Sequence, residues 1–213
     1  ARYIPSNKYN SGKQLVQIMT GVQDVHIGGV YYTSGSIGSV SSNYNHSVYA
    51  LKTNGQVWTC GYNAHGQLGT GTTTSRDEYL QISSTAGLGT IVKLKISSGL
   101  NAVSVYALNS NGDLFSWGYN GYGQLGLGDL VNRNVPVLTK TQVADFWVSS
   151  GAHSTSVFVK GQNSALYVTG RNDQGQLGLG DTTDRNTWAM VNLSTSIVGN
   201  ISDICTAEGH STW

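Results

Sequence analysis

Charge is what this 213-residue sequence has least of. Lys and Arg number 12 and Asp and Glu 11, so charged residues make up 11% of the chain, against roughly 25% in typical soluble domains. At a formal net charge of +1 no strongly basic face can be assembled, which argues against a nucleic-acid binder or a polybasic membrane-surface protein. No run of about 18 apolar residues is present, so no membrane-spanning helix is expected. The first residues, ARYIPSNKYNSGKQ, hold no apolar signal-peptide core. Proline and cysteine occur twice each. Cys60 and Cys205 form no CxxC pair and occupy no repeated position. They read as two small buried hydrophobes rather than as a bridge or as metal ligands.

Small polar residues take the place of charge. Twenty-five Ser, 20 Thr, 17 Asn and 28 Gly fill 90 of the 213 positions, which gives a neutral, hydroxyl-rich surface. The stretch GYNAHGQLG at Gly61 returns as GYNGYGQLG at Gly118 and GRNDQGQLG at Gly170. Other positions keep the same offsets of 57 and 52 residues: Tyr49, Tyr106 and Phe158; Trp58, Phe115 and Tyr167; Leu68, Leu125 and Leu177; Arg76, Arg133 and Arg185. The chain is a tandem array. Repeat motifs fall near 41–82, 98–139 and 150–191, with an incomplete one at 201–213, and 1–213 is expected to be a single partial domain.

Each unit reads as strands. SVYALKTNGQVWTCG and SVYALNSNGDLFSWG place apolar runs on either side of Asn54-Gly55 and Asn111-Gly112, a strong hairpin signal. The third copy, SVFVKGQNSALYVTG, keeps the strands and is expected to have a looser turn. RDEYLQI, RNVPVL and RNTWAMV supply a further strand after the glycine-rich stretch. Another precedes the hairpin, as in VADFWVSS and ISDICTA. Four strands per 50-odd residues, with no helical stripe, is the pattern of an all-β propeller blade.

The repeated positions then have architectural roles. Gly61, Gly66 and Gly69, with Gly118, Gly123 and Gly126 and then Gly170, Gly175 and Gly178, let the backbone turn where side chains would collide. Leu68, Leu125 and Leu177 are expected to plug the core between blades. Gln67, Gln124 and Gln176 are expected to bind loop backbone groups. Arg76, Arg133 and Arg185 are expected to tie a loop to a carboxylate or carbonyl. Asp129 and Asp181 stand four residues before the second and third, and Thr72 before the first. His46, His153 and His210 open the hairpin strand and read as structural hydrogen-bonders.

VYALNSNGDLFSWGYNGYGQLGLGD is closely similar to the repeat of the regulator of chromosome condensation (RCC1) family. Leu51 and Leu108 match its Ala-Leu end, Trp117-Gly118 its Trp-Gly, Asn63, Asn120 and Asn172 its asparagine, and Pro136 its proline. The resemblance runs from about residue 15 to 213 and implies an RCC1-like β-propeller, seven-bladed in the family. About four blades' worth of sequence is present. The natural chain is therefore expected to continue past Trp213, or other chains supply the rest of the ring.

No chemistry-bearing motif accompanies the fold. G-x-S-x-G, HExxH and a repeated carboxylate pair are missing. NDQGQLGLGD at 172–181 lacks the spacing of a calcium loop, and GLGD lacks the GK[ST] of a phosphate loop. No catalytic residue, cofactor or metal is expected. The sequons at Asn45, Asn192 and Asn200 are no more than 45 Ser and Thr would produce by chance.

Composition favours a non-enzymatic binding or structural part of a virion tail fibre, appendage or extracellular surface assembly. Its partners would be subunits of that assembly, further copies of itself, or a host surface protein or glycan. The alternative is a cytoplasmic or nuclear exchange factor or interaction scaffold of the RCC1 kind. The candidate partner-binding loop is GVYYTSGSIGSVSSNYNHS, residues 29–47, which carries Tyr31, Tyr32 and Tyr44 among small polar residues.

Overall fold

The computed structural model describes residues 19–29, 46–82, 87–97, 103–149, 155–193 and 201–204. They contain twelve strands and, among the described residues, no helix. The strands pair in chain order into three antiparallel four-stranded sheets. The first sheet holds β1 (Val22–Gly28), β2 (Ser47–Lys52), β3 (Val57–Gly61) and β4 (Arg76–Gln81). The second holds β5 (Ile91–Ile96), β6 (Ser104–Asn109), β7 (Leu114–Gly118) and β8 (Arg133–Lys140). The third holds β9 (Val143–Val148), β10 (Ser156–Gly161), β11 (Leu166–Gly170) and β12 (Arg185–Met190). Residues 201–204 carry no strand, so the strand expected in ISDICTA is not seen in its described part.

The sheets stack face to face because their middle strands are apolar on both sides. In β6, Val105 and Ala107 enter a cluster with Tyr49, Leu51 and Val57 of the first sheet. The alternate residues Tyr106 and Leu108 join Phe146, Val157 and Val159 of the third. Both rows are buried, and alternation along a strand sends them to opposite faces. The second blade is thus half of two cores, and so is the third, which is why one alone would leave an apolar face in water. The far side of the third sheet continues the pattern, with Phe158, Leu166 and Leu177 packed against Ile201 and Ile204.

The hairpin turns differ from expectation. Gly55 N–H donates to Lys52 O at 2.8 Å and Lys52 N–H to Gln56 O at 2.9 Å. Gly55 has φ 79° and Asn54 is not left-handed, so this is a three-residue loop with a glycine bulge rather than a two-residue turn. Gly112 repeats it with φ 83°. The third copy is not looser: Ser164 N–H donates to Gly161 O at 3.0 Å and Gly161 N–H to Ala165 O at 2.9 Å. The same loop is kept by forcing a serine to φ 57°. The first two hairpin tips also have a task toward the next blade, since Gly55 O accepts from Ile91 N–H and Gly112 O from Val143 N–H.

Candidate functional site

The glycine-rich stretches are cages around an asparagine. Asn63 is fully buried. Its Nδ2 donates to Thr72 O at 2.9 Å and Thr74 O at 3.0 Å, and its Oδ1 accepts from Leu68 N–H at 2.8 Å. Asn120 repeats this with Asp129 O, Val131 O and Leu125 N–H, and Asn172 with Asp181 O and Leu177 N–H. One side chain thereby satisfies irregular backbone on both sides of the loop, as buried polar groups require. Residue types alone gave no such role to these asparagines. The available signal was that they repeat in register with the glycines.

The other repeated residues complete the cage. Gln67, Gln124 and Gln176 accept through Oε1 from the N–H of His65, Tyr122 and Gln174 at 2.9, 2.9 and 2.8 Å. Leu68, Leu125 and Leu177 are buried; Leu125 lies between the second and third sheets and Leu177 on the outer side of the third. Ser47, Ser104 and Ser156 donate through Oγ to the carbonyls of Tyr62, Tyr119 and Arg171 at 2.7, 2.7 and 2.9 Å. Gly61, Gly118 and Gly170 have φ near +100°, and a Cβ there would strike the carbonyls of His46, Val103 and Thr155. Gly66, Gly123 and Gly175 and then Gly69, Gly126 and Gly178 are likewise left-handed, with φ from 67° to 76°.

Arg133 pairs with Asp129 and Arg185 with Asp181, each at 2.5 Å, and each arginine also donates to a loop carbonyl. These hydrogen bonds hold both carboxyls below the usual carboxylate range. Arg76 has no ion pair among the described residues, as Thr72 in place of a carboxylate dictates. Of the strand-opening histidines, only His46 is described, and its carbonyl accepts from Tyr62 N–H at 2.8 Å. Cys60 is buried, which pushes its thiol up to about 11; Cys205 lies outside the described residues. So do Tyr31, Tyr32 and Tyr44.

What the cages hold still is the side chains that leave them. The second residue of each loop is Tyr62, Tyr119 or Arg171 and the fifth is His65, Tyr122 or Gln174. These form a ladder across blades. His65 meets Tyr119 edge-on with centroids 5.2 Å apart, Tyr119 meets Tyr122 at 6.3 Å, and Arg171 stands 5.0 Å from the centre of the Tyr122 ring. Asn132 Nδ2 lies 3.2 Å from His65 Nδ1, and Asp173 pairs with Arg171 at 2.5 Å. Among the described residues no group of three or more His, Cys, Asp or Glu is placed to hold a metal, and no helix is long and apolar enough to cross a membrane.

Comparison with known proteins places this architecture. Two family models, each described as a regulator of chromosome condensation (RCC1) repeat, match residues 54–99 and 111–158, and residues 39–67 and 95–124. Together they reach across residues 39–158, more than half of the chain. The chain is 36% identical over 161 residues to the ultraviolet-B receptor UVR8 of Arabidopsis thaliana, covering 72% of this chain and 34% of that protein. It is 35% identical over 89 residues to the protein RCC2 homolog of Xenopus laevis, covering 42% and 17%. It thus spans about a third or less of the curated relatives it matches.

Solved structures share the fold at low identity. Human WBSCR16 superposes with TM-score 0.57 at 16% identity, over 70% of this chain and 37% of that one. Prp20p of Saccharomyces cerevisiae does so with TM-score 0.55 at 16% identity, again over 70% and 37%. Period, blade architecture and family models converge, and the chain belongs to the regulator of chromosome condensation (RCC1) repeat family.

Proposed function

We propose that this chain is a non-enzymatic protein-recognition segment that contributes its blades to a seven-bladed ring. One observation carries the reading: three loops have the same hydrogen-bonded cage, while the side chains they project differ from blade to blade. A rigid frame with variable outward residues is how a surface acquires specificity without chemistry, since the entropy of ordering the contact residues is spent in folding. The structure of Prp20p is titled with its binding properties to Gsp1p and histones, and a second yeast structure with RCC1 (Prp20) bound by Kap60; protein partners for this propeller are a reading of the same kind. The test is chemical cross-linking of the full protein in its source cells, read by mass spectrometry. Reproducible cross-links from the loop face to another protein are expected; cross-links that never leave the chain would sink the proposal.

The setting is a second proposal. With 90 small polar or glycine residues and 23 charges in 213 positions, the surface suits a virion appendage or other extracellular assembly. The intracellular scaffold or exchange factor is the alternative. It needs charged faces toward its partners, which 12 basic and 11 acidic residues cannot supply strongly. Peptide mass spectrometry on particles, secreted material and cell lysate separates the two settings. Peptides confined to the lysate would discard the exterior one.

A further inference from the structure

The three cages allow position-by-position comparison of what each blade shows to solvent. In the first blade the residues held between the two carbonyls that the central asparagine binds are Thr73 and Thr74, and the same positions of the third blade, which follow the Asp181 carbonyl that Asn172 binds, are Thr182 and Thr183. In the second blade they are Leu130 and Val131, 58% and 61% exposed. At the ladder positions the flanking blades put Tyr62 with His65 and Arg171 with Gln174, whereas the second has Tyr119 with Tyr122. In the second blade all four of these positions are thus aromatic or aliphatic. Nothing in the frame demands this, because threonine serves the same two backbone positions twice.

The surroundings complete the picture. Both tyrosines already have ring contacts within the chain, Tyr119 against His65 and Tyr122 beneath Arg171. The nearby arginines are already paired, Arg133 with Asp129 and Arg171 with Asp173. The cage ties the tyrosine pair to the aliphatic pair, since Asn120, next to Tyr119, donates to the carbonyls of Asp129 and Val131 on either side of the Leu130-Val131 segment. An apolar centre with a polar rim is the anatomy of a recognition hot spot. With its arginines paired, that rim suits a neutral ligand rather than an acidic or basic one. Aliphatic Leu130 and Val131 add burial that a protein side chain can use, and they offer a sugar neither a stacking face nor a hydrogen bond.

We propose that the second-blade loop is a peptide-recognition site, where Tyr119, Tyr122, Leu130 and Val131 bury an aliphatic or aromatic side chain from an uncharged segment of a partner protein. This rests on the protein-recognition reading above and adds where the partner lands and what it presents.

The frame supplies its own test variants. Leu130→Thr with Val131→Thr writes the first- and third-blade residues into the second, and Tyr122→Gln writes in the third-blade residue, so each change is compatible with folding. Twelve-residue peptides selected on the protein from a random phage-displayed library are the probe, with fluorescence anisotropy of the synthetic peptides as the readout. Enriched peptides are expected to share an apolar anchor and to lose roughly tenfold or more in affinity with either variant. Thr182→Ala with Thr183→Ala should leave them unchanged. Peptides that bind both variants as tightly as the parent overturn this site and leave the recognition reading standing. Failure of any peptide to enrich counts against both. A glycan-array ligand lost with Tyr122→Gln but kept with the threonine pair would replace the peptide site with a sugar platform.

Discussion

The joint between the first and second blades and the joint between the second and third solve one problem with different residues. In both, the last glycine of the GQLG stretch leaves room for an indole. A Cβ on Gly69 would come within 2.8 Å of Trp117 Nε1, and one on Gly126 within 2.6 Å of Trp188 Nε1. Trp117 belongs to the third strand of its blade and Trp188 to the fourth. Where the second blade has Trp117 the third has Thr169, and where the third has Trp188 the second has Pro136. The frame fixes the space; the sequence chooses which strand fills it.

The consequence is concentration at one joint and distribution at the other. Trp117 is fully buried and donates to Gln67 O at 2.9 Å. Trp188 is half-buried and donates to Thr139 Oγ1 at 2.9 Å. The second joint adds Thr169 Oγ1, whose one hydrogen is shared between Arg185 O at 2.8 Å and Gly123 O at 3.1 Å, and the Lys140 ammonium 3.5 Å from the centre of the Tyr167 ring. The largest expected effect follows from this contrast. Trp117→Ala should cost about 3–5 kcal/mol, since it opens a cavity in a sealed core. Trp188→Ala should cost about 1–2 kcal/mol, because half of its area never left water. Thermal unfolding followed by near-ultraviolet circular dichroism compares them, and equal losses would break the distinction.

The order reverses for the buried tyrosines. Tyr49 and Tyr106 occupy one position in successive blades, and their hydroxyls donate to Gln67 O and Gln124 O, each at 2.9 Å. Gln67 O also receives Trp117 Nε1, whereas no second donor to Gln124 O is seen among the described residues. Tyr106→Phe therefore strands a buried carbonyl and should cost about 1–2 kcal/mol, while Tyr49→Phe should cost about 0.5 kcal/mol. Phe158, the third copy, shows that the ring alone fills the site. A larger loss for Tyr49→Phe would contradict the hydrogen-bond assignment.

The same two tyrosines set an alkaline limit. Burial raises both hydroxyls well above their ordinary range, so only the unfolded chain ionises near pH 10. Their stabilising contribution is complete below pH about 10 and is lost as pH rises beyond it. The denaturant midpoint should fall between about pH 9.5 and about pH 11 by a smaller amount once Tyr49 and Tyr106 are both phenylalanine. An unchanged alkaline slope in that double variant would show that other groups govern it.

Much of this was legible in the sequence, and for a physical reason. Tyr49, Leu68, Gln67 and the left-handed glycines meet the same geometric demand in every blade, so they return at fixed offsets. The cage asparagines return as well. Their role was hidden because the partners, such as Thr72 O and Asp129 O, are backbone atoms nine residues on with no side-chain signature. The exchange of Trp117 for Trp188 was illegible because it changes strand and so leaves the register. Leu130 and Val131 escaped notice for the opposite reason to Leu125: a periodic pattern exposes what blades share and conceals what one blade does alone.

The smallest effect expected concerns the hairpin tips. The first and second blades have Gly55 and Gly112 at the left-handed position, and the third has Ser164 at φ 57°. A left-handed non-glycine residue costs roughly 1–2 kcal/mol, part of which glycine returns through its looser unfolded chain. Ser164→Gly should therefore stabilise by about 0.5 kcal/mol, roughly 1–2 °C for a chain of this size. The reverse change should do more harm than this does good. A Cβ on Gly112 would lie 2.7 Å from Gln162 Nε2 and 3.1 Å from Val143 O, so Gly112→Ser adds a collision with the next blade to the backbone strain. If the two substitutions proved equal and opposite, the tip would be a matter of local backbone alone. The larger loss at Gly112 would show that the turn is shaped by the blade that follows it.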